Sequence, residues 1–177
     1  MRVAGLLLAM APAAEASAQA AKEGPALEIG ASGLKVPRYV SLKADRVQLR
    51  QGPGKDFPAA WVFQRTGLPV EVIRESDVWR QVRDAGGSVG WVHGSLLSGR
   101  RTALVLPWEV KDGQTKASAT LREDDSESAR AVAQVEAGTL ASIIACENGW
   151  CRVSVESFRG YIEQKKLWGT YPDERIK

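Results

Sequence analysis

The sequence predicts an all-β protein built from two small tandem β-barrel units. Three observations carry this reading. From about residue 36 onward, apolar and polar residues alternate in short runs separated by Gly, Pro, Asn and Asp, the pattern of half-buried strands joined by turns. Three features between residues 47 and 97 return in the same order between 121 and 167: an apolar-plus-Arg opener, a Trp-bearing strand after a turn, and a Gly-aromatic closer. Apolar and charged fractions of 44% and 25% are those of an ordinary soluble globule.

The first residues have a different character. Met1 and Arg2 lead into a short apolar run, and Ala16, Ala18 and Ala20 follow at alternate positions. One basic residue, an apolar stretch and small residues at the expected cut make residues 1–20 a secretory signal, too short to span a bilayer. No cysteine lies near that cut, so a lipid anchor there is excluded. The mature chain is expected to start near Gln19 or Ala21 and to be periplasmic or secreted, with no membrane insertion. Its net charge of +3 is small enough to serve solubility alone. In an exported protein such a surface meets anionic wall polymer rather than nucleic acid.

Residues 21–36 read as a flexible leader rich in Ala and Gly. The first unit is expected over residues 37–99. Val40 and Leu42 alternate with Ser41 and Lys43, and Val47 and Leu49 share a face. Gly52, Pro53, Gly54 and Pro58 make the next segment a structured loop. A brief strand over residues 60–63, a turn at Gly67, and strands around Val70, Trp79 and Trp91 follow, closed by a helical turn at residues 94–97. Residues 100–114 read as a connector in which 102–106 could form a further strand. Asp112-Gly113 is a turn signal.

The second unit, residues 115–169, repeats the first. Leu121-Arg122 matches Leu49-Arg50, Gly138 matches Gly67, Trp150 matches Trp79 and Gly160-Tyr161-Ile162 matches Gly90-Trp91-Val92. The offset drifts only from 72 to 70. The copy has Asp124-Asp125-Ser126 in place of Gly52-Pro53-Gly54, and Ala129-Arg130 in place of Phe57-Pro58. Residues 170–177 form a C-terminal tail.

Cys146 and Cys151 bracket Asn148-Gly149, the strongest two-residue hairpin signal. That turn sets Cys146 opposite Cys151 in a non-hydrogen-bonded pair, where the backbones approach most closely, and predicts a cross-strand disulfide. The first unit has Glu75 and Arg80 at the same places, an opposite-charge pair. Four intervening residues is not the redox spacing, and one His with two Cys cannot complete a tetrahedral metal site. No cofactor is expected. His93 is the only histidine, and neither a nucleophilic Cys nor a paired carboxylate accompanies it, so an enzyme is not expected.

The matching residues, from Val47 and Leu49-Arg50 through Gly52-Pro53-Gly54 and Trp79 to Gly90-Trp91-Val92, resemble the bacterial SH3-like (SH3b) domain in its exported tandem form. The resemblance covers about residues 40–167. It implies two tandem SH3-like small β-barrels and a non-catalytic binding module for peptidoglycan stem peptide or an extended peptide of the envelope. A ligand groove would lie beside the Gly52-Pro53-Gly54 loop, with Arg50, Asp56, Phe57, Trp61 and His93 as its candidates. Trp79 and Trp91 read as core, since small barrels need large side chains to fill them. Arg50 and Asp56 could equally pair with each other. The alternative is an accessory envelope protein that binds a protein partner through the inter-repeat surface around residues 100–108.

Overall fold

The computed structural model describes residues 28–177, nearly all of it β. The expected signal segment, residues 1–20, and the first part of the expected leader lie outside the described residues. Strands β1 (Glu28–Ile29) and β2 (Lys35–Val36) pair as a small hairpin. Next come β3 (Arg38–Leu42), β4 (Val47–Arg50), β5 (Ala59–Phe63), β6 (Pro69–Ser76), β7 (Trp79–Arg83), β8 (Val89–His93) and β9 (Leu97–Ser98). They form an antiparallel sheet in the order β5-β4-β8-β7-β6-β3-β9. The second unit comprises β10 (Thr102–Val105), β11 (Ser118–Arg122), β12 (Ala131–Glu136), β13 (Leu140–Glu147), β14 (Trp150–Val155), β15 (Phe158–Glu163) and β16 (Leu167–Trp168). Its order, β12-β11-β15-β14-β13-β10-β16, follows the same path. The two sheets are tandem SH3-like barrels.

Each unit encloses its own core. Val47, Leu49, Val70, Val72, Val82 and Val92 fill the first; Val105, Leu121, Ala141, Val153 and Ile162 fill the second. Burial of each larger side chain stabilises by roughly 1.5–3 kcal/mol before entropy is counted. The strands are irregular at the same places in both units. Register shifts fall between Leu49 and Arg50 and again between Leu121 and Arg122, and a second pair falls between Val72 and Arg74 and between Ile143 and Ala145. The closer glycine is explained by the first of these. A Cβ on Gly90 would sit 2.8 Å from the Arg50 carbonyl oxygen, and one on Gly160 would sit 2.3 Å from that of Arg122. The strand passes too near the bulge for any side chain.

Two regions differ from the sequence reading. Residues 28–36, expected within the leader, form the β1–β2 hairpin. It is held because Ser32 donates to Glu75 from both its backbone N–H (2.6 Å) and its hydroxyl (2.9 Å). Thr102–Val105, expected in the connector, is the opening strand of the second sheet. It pairs with β13 and β16 as β3 pairs with β6 and β9. Val40 thus corresponds to Ala103, whereas Val47 corresponds to Ala119. The turn between these strands is 43–46 in the first unit and 106–117 in the second.

The turn register is as expected. Glu147 faces Trp150 and Cys146 faces Cys151, with Asn148 at φ 52° and Gly149 at φ 78°. The disulfide is formed (S–S 2.01 Å, Cα–Cα 4.1 Å). The backbone of Cys146 turns away from Cys151 and exchanges both hydrogen bonds with Ile176 (2.9 and 3.0 Å), as a non-hydrogen-bonded pair requires. In the first unit Glu75 faces Arg80. The Glu75 carboxylate is fully shielded and contacts Arg38 (2.6 Å) and Arg80 (3.0 Å). Burial alone would raise its pKa; the Ser32 backbone N–H and Arg38 outweigh burial and hold it below the usual carboxylate range.

The C-terminal residues bind both units together. Tyr171 Oη donates to Glu71 (3.0 Å), which Arg83 also holds. Arg101 makes a two-pronged pair with Glu174 (2.7 and 2.9 Å), and Thr102 Oγ1 donates to the Gly67 carbonyl (2.7 Å). Tyr39 packs edge-on to Trp168 and against Tyr171, with centroids 5.2 and 4.8 Å apart. Burial and the nearby Glu71 push the Tyr39 phenol up to about 12.

Candidate functional site: paired grooves with opposite charge

A groove of about 510 Å³ opens on the first unit. Alternation along β4 sends Val47 and Leu49 inward and leaves Gln48 and Arg50 on the groove face, joined by Arg46 just before the strand. The 51–58 loop adds Lys55 and β5 adds Val62. Trp79 and His93, directly opposed in register, close the far side with Ser95 and Leu96. Their rings meet edge to face at 5.4 Å. His93 is held in place by the 3₁₀ turn it starts: Ser95 N–H donates to its Nδ1 at 3.3 Å and Ser95 Oγ lies 2.7 Å from the same atom. Among the described residues no carboxylate lines this groove. Cationic side chains around an indole suit a carboxylate-bearing, extended ligand.

Arg50 has a structural task as well. Its Nη1 donates to the carbonyl oxygens of Lys55 (2.9 Å) and Phe57 (2.6 Å), and its Nη2 donates to Gln48 Oε1 (2.5 Å). The guanidinium thus ties the loop to β4, and Asp56 is not its partner. Arg122 does the same in the second unit, donating to the Ala129 carbonyl at 2.8 Å.

The five sequence candidates are therefore not one cluster. Arg50 and His93 line the groove, and Asp56 is exposed outside it. Phe57 packs on Gly52, whose added Cβ would lie 2.3 Å from the ring. Trp61 shares the β5 face of Phe63 rather than that of Val62; it is 58% exposed and sits in a separate shallow depression. Trp79, read as core from its bulk, is only half-buried and forms a groove wall, and Trp91 is likewise half-buried. Sequence reasoning passed over Arg46, Gln48 and Lys55. The signal was available, because residues 46, 48 and 50 share one parity in and just before a strand whose other parity is apolar.

The second unit has a groove in the corresponding place, about 620 Å³ in volume. Trp150 stands where Trp79 does, Glu163 where His93 does, and Glu127 where Lys55 does. The long 106–117 turn hangs Trp108 over it, and Thr170, Pro172 and Asp173 from the tail form another wall. The inter-repeat surface at residues 102–105 is taken up by intramolecular pairing, and Trp108 remains half-exposed.

Both cysteines are in the disulfide, so neither offers a thiolate. Among the described residues no group of His, Cys, Asp and Glu is placed to hold a metal ion. No helix among them is long and apolar enough to cross a membrane.

The profile of the family described as Bacterial SH3 domain matches residues 43–99 and 115–169, one match for each barrel. The chain belongs to the bacterial SH3 domain family, in a tandem form. A curated relative, "Putative N-acetylmuramoyl-L-alanine amidase YrvJ" of Bacillus subtilis (strain 168), is 23% identical over 126 residues, covering 70% of this chain and 24% of the relative. The chain thus spans about a quarter of that relative's length. Among solved structures, NlpC2 of Trichomonas vaginalis aligns at 14% identity (TM-score 0.33; 75% of this chain, 48% of that one). An NlpC/P60 family protein of Bacillus cereus aligns at 12% (TM-score 0.32; 73% and 55%). These scores are too low to carry an argument beyond the family match.

Proposed function

We propose that this protein is an exported, non-catalytic binding module of the cell envelope whose first groove takes an extended peptide bearing carboxylates, the chemistry of a peptidoglycan stem peptide. The observation that carries this is the composition of the groove: Arg46, Arg50 and Lys55 around Trp79 and His93, with no carboxylate among the described residues. Lys55 and Arg46 meet the ligand's carboxylates as charge-assisted partners. Trp79 supplies a flat apolar wall, and Gln48 offers hydrogen bonds to a peptide backbone. The secretory character of residues 1–20 and the wall-amidase name of the relative agree with an envelope address.

The test is co-sedimentation of the mature chain with purified wall sacculi. Lys55→Glu and Arg46→Glu are expected to weaken binding about tenfold each, in line with lost charge-assisted contacts. Trp61→Ala, outside the groove, is expected to leave binding unchanged. Binding that survives both charge reversals, or that Trp61→Ala abolishes, overturns this reading.

A further inference from the structure

The second groove is not a spent copy of the first. Its unpaired groups can all accept a hydrogen bond. Gln164 replaces Gly94 at the end of the closing strand; its backbone N–H donates to the Gly149 carbonyl as that of Gly94 donates to Val78. Gln164 is 4% exposed, and its side-chain amide nitrogen already donates to the carbonyls of Tyr171 (2.9 Å) and Glu174 (3.0 Å). These two bonds fix the amide orientation and leave Oε1, which has no partner among the described residues. Thr170, 8% exposed, lines the same groove with its hydroxyl likewise unpartnered. A buried acceptor without a donor costs about 1–3 kcal/mol, so two in one groove are an argument for something that fills it.

The charge agrees. Among the described residues Glu127, Glu163 and Asp173 line the groove against a single cation, Lys165. Lys165 (2.5 Å) and Lys166 occupy Glu163. Glu127 and Asp173 are in no ion pair among the described residues. Trp108 and Trp150 flank the opening. We propose that the second groove binds the primary ammonium group of a peptide amine. Its slim aliphatic stem would pass between the two indoles to the Gln164 Oε1 and Thr170 Oγ1 acceptors. An ammonium brings three donors and no acceptor, which matches two buried oxygens and one carboxylate, and indole faces favour a cation. This inference does not rest on the reading of the first groove.

The experiment is an NMR titration of the isotope-labelled mature chain with Nα-acetyl-lysine amide, whose only charge is the ε-ammonium, beside the same compound acetylated on Nε. The expected result is movement of the Trp108 and Trp150 indole N–H signals and the Gln164 side-chain amide with the amine, none with its acetylated form, and no movement of the Trp79 indole. Glu127→Gln combined with Asp173→Asn should weaken the amine's effect about tenfold, while Trp79→Ala leaves it unchanged. Equal shifts from both compounds, equal movement of Trp79, no shift at all, or full retention in the folded double variant would each overturn the proposal.

Discussion

The two barrels share a path, a register and the places of two bulges, yet they lock the same hairpin by different means. At one position the first unit sets Glu75 against Arg80, inside a shielded cluster with Arg38 and Ser32, and the second sets Cys146 against Cys151. The difference teaches that the position demands a cross-strand link while its chemistry is free. The grooves repeat the lesson: a tryptophan wall is kept while the rim turns from Lys55 and His93 to Glu127 and Glu163.

The largest effect should come from the contact the units share without compensation. Gly160→Ala is expected to cost about 3 kcal/mol and Gly90→Ala about 2, within the range for overpacking a filled site, because the added Cβ meets backbone oxygen at 2.3 Å in one and 2.8 Å in the other. Thermal unfolding followed by the near-ultraviolet signals of each unit would show the order; equal losses would break the comparison.

The two locks come next. Serine at both Cys146 and Cys151 should remove about 2 kcal/mol, and Glu75→Gln a similar ~2 kcal/mol through weakened hydrogen bonds to charged partners. Conditions separate them. Glu75 is held below its unfolded pKa of 4.5, so its contribution is full above that value and fades as pH falls through the folded one. Acid should therefore lower the protection of the β7 amides, measured as exchange relative to the free-peptide rate at the same pH, in the native chain more than in Glu75→Gln. Reductant should lower it in β14 and leave β7 alone. Exchange that responds equally in both strands to either treatment would mean the hairpins are not independently locked.

A smaller effect, a coupling of about 1 kcal/mol, tests the loop. Gly52→Ala alone should cost about 2 kcal/mol by forcing the Phe57 ring off its seat. In a Phe57→Ala background the same change should cost at least ~1 kcal/mol less, since the second unit carries Asp124 with Ala129. Additive costs in the cycle would refute that coupling. The smallest effect belongs to the seam: Tyr171→Phe should lose about 1 kcal/mol, because Arg83 still holds Glu71. It would be read as a widening gap between the unfolding transitions of the two units.

Much of this architecture was legible because turn chemistry is local. Asn148-Gly149 fixed the register of its hairpin, and a near-constant offset carried that register to Glu75 and Arg80. Thr102–Val105 was legible as a strand, but its place as the opener of the second unit was not, because the long 106–117 turn breaks the offset just where it would have matched. Trp79 was misplaced because bulk argues for burial, while its register opposite His93, beside the turn, puts it at the barrel rim. The second groove was invisible in sequence. Its walls come from a turn, a strand end and the tail, and only folding brings Trp108, Glu127 and Asp173 together.

The glycines that survive in both units also say how such a duplicate can drift. Gly52 could be surrendered because its obstacle was a side chain, and shortening Phe57 clears the way in one further step. Gly90 and Gly160 face carbonyl oxygens of the main chain, which no substitution can trim. A doubled gene of this kind is free to rewrite its loops and its charge by compensated pairs, and is held to its ancestor wherever backbone meets backbone.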